Sequence, residues 1–278
     1  MDYDWKYYLE DLMGGKTEIK LEKEDRRAAG FLIYRMDKGK QEHVKKLIRW
    51  IMEDYRAGGR NKNSLAECLV RTHADCCRCF PGNGMAKRCH NALVYRYMMK
   101  NALHNKAVAL KMDVSEIMVH HYIATAINEL AVLCFGTPAF TGSTSTWQDA
   151  VKQMLDNLHF LECMPDASIA LVWDKWQQER VYCHQVTESA VAFIYKALSM
   201  YEEYISGSSN QHIQKRALDI VKEVYITGGK DITEISSIWG ISIHSVYLDI
   251  RKVTARLGEL CSYMAEKGEM EYGTVKND

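Results

Sequence analysis

Between positions 73 and 90 the chain reads His73-Ala74-Asp75-Cys76-Cys77-Arg78-Cys79 and then Cys89-His90. Thiolates and imidazoles at such spacings can close a tetrahedral zinc site, for example Cys76, Cys79 and Cys89 with His73 or His90. The Pro81-Gly82-Asn83-Gly84 turn between them would let two helices return to face each other. Against this, the adjacent Cys89 and His90 are poorly placed to reach one ion together, and cysteines on helices often serve as small buried apolar residues. The expectation is therefore a protein without a cofactor, with a structural zinc on Cys76, Cys79, Cys89 and His90 as the alternative. A second pair, His120-His121, lies on a helical stretch, where neighbours point about 100° apart and do not share one ion. A groove-facing or solvated pair is expected there. The chain carries no glycine-rich phosphate loop, no nucleophile elbow and no convincing carboxylate pair, so it is not expected to be an enzyme.

The elements that must position these residues are helical. The chain has 278 residues, 47% of them hydrophobic, and only 3 prolines. Long proline-free stretches rich in Ala, Leu, Met, Glu and Lys favour helix, and this length can bury a substantial core. The formal net charge is zero, so any affinity for nucleic acid must rest on local charge. The N-terminal MDYDWKYYLEDL has no apolar signal region, and no run of about 18 apolar residues is evident. The 9 scattered cysteines then suggest reduced thiols in the cytoplasm, with no membrane partner.

Punctuation divides the chain into four. Residues 1–84 form an N-terminal helical region, with a short helix from Tyr3 to about Leu12 closed by Gly14-Gly15, and a second helical stretch from Glu22 to Arg56. Residues 85–138 form a helical block positive by about three charges. After a Thr141–Thr146 linker, residues 147–206 form an acidic helical middle, negative by about five, holding Trp147, Trp173 and Trp176. Gly207-Ser208-Ser209-Asn210 reads as a second linker, and residues 211–266 form the last helical block.

Two of these blocks repeat one register. NKAVALKMDVSEIMVHHYIATAINELAVLC, starting at Asn105, lies without a gap over ITEISSIWGISIHSVYLDIRKVTARLGELC, starting at Ile232. Ser115 meets Ser242, Val119 meets Val246, Ile123 meets Ile250 and Cys134 meets Cys261. In the second copy Ile235 and Trp239 face inward, Gly240 takes a positive-φ turn, Ile241 fills the corner and Ser242 caps a helix whose Val246 and Ile250 face inward. In the first copy Val108, Met112, Val114, Val119 and Ile123 do the same, with Asp113 in place of the glycine and Ser115-Glu116 opening the helix.

The stretches VALKMDVSEIMVHHYI and EISSIWGISIHSVYLDI resemble the sigma-factor region-four type of helix-turn-helix, found in transcription regulators of bacteria and their phages. The resemblance covers about a third of the chain. It implies that the serine-capped helix of each unit enters the DNA major groove. Candidate contacts in the first unit are Glu116, Met118, His120, His121 and Thr125. In the second they are His244, Ser245, Tyr247, Leu248, Arg251 and Lys252, where Arg251 and Lys252 suit phosphate or guanine.

The expected molecule is all-α and multi-helical, with two helix-turn-helix units separated by an acidic helical segment. It is expected to regulate transcription by binding double-stranded DNA, both units engaging one site. The alternative is a protein-interaction factor that docks on RNA polymerase or another host protein. The oligomeric state is left open.

Overall fold

The computed structural model describes residues 23–58, 64–80, 84–140, 146–163, 177–227 and 229–273. The helix expected over Tyr3–Leu12, the Pro81–Asn83 turn, most of the Thr141–Thr146 linker, Trp173 and Trp176 lie outside them. The described chain is all-helical, with no strands among these residues. Its helices are α1 (Lys23–Ile33), α2 (Lys38–Arg56), α3 (Ser64–Cys79) and α4 (Gly84–Leu93), the last continuing into a π-helical turn at Val94–Met98. There follow α5 (Asn105–Met112), α6 (Glu116–Phe135), a 3-10 turn at Thr137–Ala139, α7 (Trp147–Glu162) and α8 (Gln177–Ser206). The chain closes with α9 (Gln211–Tyr225), α10 (Ile232–Trp239) and α11 (Ile243–Gly273).

Local chemistry explains where the sequence reading and the structure part. The helical region read from Glu22 to Arg56 holds two helices from Lys23 on, divided where Asp37 leaves helical geometry (φ −58°, ψ 153°) and its Oδ1 accepts the Lys40 N–H at 2.9 Å. That carboxylate satisfies one of the donors a helix start leaves open. Gly207–Asn210 is a four-residue turn between α8 and α9, not a spacer. Thr146 caps α7, its Oγ1 accepting the Asp149 N–H at 3.1 Å.

One apolar core runs through helices from α1 to α11. At its centre is α6, buried without a break from Leu130 to Phe135. That stretch is apolar on all faces and must be enclosed. By length and mean hydropathy alone α6 would also suit a membrane span, though Glu116, His120, His121, Asn128 and Glu129 interrupt its apolar residues, and half of that span is buried inside the fold. The long α11 lies along α7, α9 and α1, and its Leu257, Leu260, Cys261 and Met264 are fully buried. The acidic middle segment thus packs its apolar side against α11, with Asp156, Glu162, Glu188, Glu202 and Glu203 exposed. A small satellite core of Val108, Ala109 and Val119 joins α5 to α6. Lys111 Nζ over the Tyr95 ring, 4.3 Å from its centroid, ties α5 to the π-helical turn.

The connection after α6 is part of the core. Thr137, Pro138 and Ala139 are buried, and the Met36 N–H donates to Pro138 O at 3.0 Å. Gln41 Nε2 donates to Met36 O and to Phe140 O, each at 3.1 Å. The Arg35 guanidinium stands 5.0 Å over the Phe140 ring and donates to Gln153 Oε1 at 2.9 Å. Burial lowers its pKa to about 10.

Candidate nucleic-acid interface

The two repeated blocks take one local geometry. Gly240 ends α10 in the left-handed region (φ 61°, ψ 32°), and Asp113 ends α5 there too (φ 53°, ψ 51°). Beyond each, a 6→1 hydrogen bond closes the helix: the Ile241 N–H donates to Ser236 O, and the Val114 N–H to Ala109 O, both at 3.1 Å. The next helix then starts on a serine. Ser242 Oγ accepts the Ser245 N–H at 3.1 Å, and Ser115 Oγ accepts the Met118 N–H at 3.3 Å. Ile235, Val246 and Ile250 are buried in one unit and Val108 and Val119 in the other, while Trp239, Ile241, Met112, Val114 and Ile123 are half-buried against them.

Asp113 is the only residue other than glycine with positive φ among the described residues. Its Cβ carries a steric cost that glycine avoids. We expect Asp113→Gly to stabilise the protein by about 0.5–1 kcal/mol and Asp113→Val to destabilise it by more, read from thermal melts. Equal melting temperatures in all three proteins would remove strain from the account of this turn.

The outer faces differ. On α11, His244, Tyr247, Leu248, Arg251 and Lys252 are exposed and Ser245 is half-buried, so their 3-, 4- and 7-residue spacings form one continuous outer face. The only acid between Ile243 and Lys252, Asp249, points the other way. Its Oδ2 accepts from Arg216 Nη2 at 2.9 Å and Nε at 3.1 Å, pinning α9 to α11. The face is left without a carboxylate of its own. On α6, Met118, His120 and His121 are exposed beside Ile117 (70% exposed), and Leu110 of α5 is 79% exposed. His120 Nε2 lies 3.1 Å from Asn105 Nδ2. Thr125 stands apart, half-buried in a groove beside Gln153 and Asn157 of α7.

Of the residues considered for zinc, His73 and His90 come together, their Nδ1 atoms 3.2 Å apart, while Cys76, Cys79 and Cys89 are not grouped with them. Among the described residues no three side chains of metal-binding type form a group that suits an ion. Cys79 is exposed, Cys89 is fully buried, and Cys76 is hydrogen-bonded to Cys163 at the end of α7. That contact holds the Cys76 thiol far up and draws Cys163 down to about 7. All 9 cysteines are free thiols.

A different cluster occupies this region. His73, fully buried on α3, puts Nε2 2.9 Å from Glu129 Oε2 on α6 and Nδ1 3.2 Å from His90 Nδ1 on α4. The Cys77 thiol lies 3.6 Å from the same His73 Nδ1, so this ring nitrogen is shared between His90 and Cys77. Burial, then Glu129, pushes the Cys77 thiol up to about 12, which keeps it protonated. The His73 ring also lies 5.3 Å from Phe160 of α7, so the cluster joins four helices. The i,i+4 spacing of His73 and Cys77 was visible in the sequence; Glu129, distant in the chain, was not.

Burial, then His73, lowers both His90 and His159 to about 4, and both are neutral at pH 7. Below about pH 6.5 the unfolded chain takes up these protons and the folded chain does not. Stability therefore falls from pH 6.5 toward pH 4, by on the order of 1 kcal/mol per pH unit for each fully enclosed histidine and less for the half-buried His90. Above pH 6.5 these two groups add no pH dependence. Urea melts across pH 4–8 should show the fall, and His159→Leu should make it shallower. A flat profile in the unaltered protein would contradict the buried neutral state.

No family of known proteins, no curated protein and no solved structure matches this chain.

Proposed function

We propose that the protein regulates transcription by binding duplex DNA in a sequence-specific manner, with the first turns of α11 in the major groove. The observation that carries this reading is the outer face of α11. It presents His244, Tyr247, Arg251 and Lys252 outward while Asp249 is drawn inward by Arg216. Donors and cations without a neighbouring carboxylate suit base edges and phosphate. The tight turn at Gly240 followed by the Ser242 cap joins α10 to α11, the local geometry a helix-turn-helix requires. No metal or catalytic group is invoked.

The experiment is selection of duplex fragments by the full-length protein, followed by affinity measurements over a range of salt concentrations. An enriched common sequence and a steep fall of affinity with salt support the reading. Absence of any selected sequence counts against it.

A second reading applies to the α5–α6 unit. Where the second unit presents His244 and Ser245, the repeat register places Ile117 and Met118, with Leu110 exposed beside them. An exposed apolar patch suits contact with a protein, RNA polymerase or another host factor, better than a phosphate backbone. Copurification of a protein partner that is abolished by Ile117→Lys would support that role for this unit.

A further inference from the structure

Helices α3 and α7 meet along one seam. On α3, His73, Cys76 and the Phe80 just beyond its end are spaced three and four apart, so they share a face. His73 packs on Phe160 and Phe80 on His159, with ring centroids 5.3 Å and 4.8 Å apart. Cys76 lies between those two rings on α3. Its thiol, fully buried, donates a hydrogen bond to Cys163, the half-buried residue that caps the end of α7.

The two sulfurs are unlike. Cys163 is partly open to solvent, and the donated S–H draws its thiol down to about 7, so much of it is thiolate at neutral pH. Burial, Glu162 and Asp75 act the other way, but the two carboxylates are engaged by the Tyr195 hydroxyl and by Arg78. Cys76 is closed to solvent and keeps its proton, held there first by the hydrogen bond to Cys163 and then by burial. A solvent-reached thiolate touching a protonated second thiol suits attack on a peroxide followed by closure of a disulfide.

We propose that Cys163 and Cys76 form a peroxide-sensitive modification site, with Cys163 the attacking sulfur and Cys76 the resolving one. The Cys163 thiolate attacks one oxygen of hydrogen peroxide and the O–O bond breaks. The departing hydroxide takes a proton from solvent and becomes water, leaving Cys163 as a sulfenic acid. The Cys76 sulfur then attacks the Cys163 sulfur, the S–O bond breaks, and the second hydroxide leaves as water with the Cys76 proton. Two thiols lose two electrons in all, and one peroxide is reduced to two waters. The first step removes the thiolate charge that held the Cys76 proton, which eases its loss in the second. The new bond ties α3 to α7 across a long loop of chain, and such a link stabilises mainly by restricting the unfolded state.

The test treats the reduced full-length protein with hydrogen peroxide, alkylates the remaining thiols and maps disulfides by mass spectrometry without reduction. A Cys76–Cys163 bond within one chain, reversed by dithiothreitol, is expected before any other cysteine is oxidised. The oxidised protein should melt about 5–10 °C higher than the reduced one. Cys76→Ala should halt at the Cys163 sulfenic acid, trapped by dimedone, and Cys163→Ala should leave Cys76 unoxidised. Cys79→Ser, at an exposed position, should form the bond as readily as the unaltered chain. Circular dichroism melts show whether each variant is folded. If a change at buried Cys76 prevents folding, the bond mapped in the unaltered and Cys79→Ser proteins decides the matter. A bond from Cys79 to either Cys76 or Cys163, no disulfide within the chain, or a Cys76–Cys163 bond that forms only in urea overturns the assignment.

Discussion

Gly136→Ala is expected to destabilise the protein by on the order of 3–5 kcal/mol, enough to leave much of it unfolded at ordinary temperatures. Gly136 ends α6 at φ 61° and ψ −147°, a region that residues with a Cβ avoid. It is also closely packed. A Cβ there would meet Thr187 Oγ1 at 1.8 Å and Thr187 Cβ at 2.8 Å, far inside contact distance. Thr187 has little freedom to turn away, since its Oγ1 donates to Cys183 O at 2.8 Å and accepts the Thr137 N–H at 3.1 Å. Rotating it would leave that buried N–H without a partner, which itself costs about 1–3 kcal/mol. Strain and clash thus act together where α6 turns back against α8. Thr187→Ala alone should cost about 1–3 kcal/mol, because it removes both hydrogen bonds. The double variant should be less damaged than the sum, because removing Oγ1 relieves the worst overlap. Thermal and urea melts of the three proteins measure this. A Gly136→Ala protein that melts within a degree or two of the unaltered chain would show that this corner can relax.

What could be read in advance was what short segments decide. A glycine followed two residues later by a serine, between apolar residues four apart, leads to the Gly240 turn and the Ser242 cap, and both are present. The all-helical class follows in the same way from scarce proline and apolar residues at helical spacing. Relations between distant segments were hidden. Nothing near Asp249 indicates that Arg216 will turn it inward, and nothing near His73 points to Glu129. Thr125 shares a helix with His121 but lies beside α7, because a residue's exposure depends on which neighbour covers that side of the helix. The polar Gly207–Asn210 segment has linker composition, yet α8 and α9 pack together on either side of it. Composition alone does not separate a tether from a tight turn.

That last difference changes how the two units must be tested. Joined by flexible tethers, they would be separable as fragments. Instead α11 carries its exposed face on its first turns and inserts Leu257, Leu260, Cys261 and Met264 into the common core. A fragment beginning near Gln211 would expose that apolar side, and its failure to bind DNA would report misfolding. Point changes on exposed positions of the full-length chain avoid this.

In the full-length chain, Arg251→Ala with Lys252→Ala is expected to weaken binding to a selected duplex about 10- to 100-fold near physiological salt. Both side chains are exposed on the third turn of α11. If each neutralises one phosphate, the slope of log affinity against log salt should become shallower by nearly two, about 0.9 for each phosphate no longer neutralised. If Arg251 reads a guanine instead, the slope should change by only about one, and discrimination at one base pair should fall by about 1–3 kcal/mol. The two modes are thus separated by measuring slope and sequence preference together. The matching change in the other unit, His120→Ala with His121→Ala, should leave both slope and affinity nearly unchanged if the apolar α5–α6 surface serves a protein partner. A folded Arg251/Lys252 variant with unaltered affinity and slope would remove α11 from the DNA interface. If the histidine variant then bound DNA more weakly in its place, DNA contact would belong to α6, despite the exposed Ile117 and Leu110 beside it.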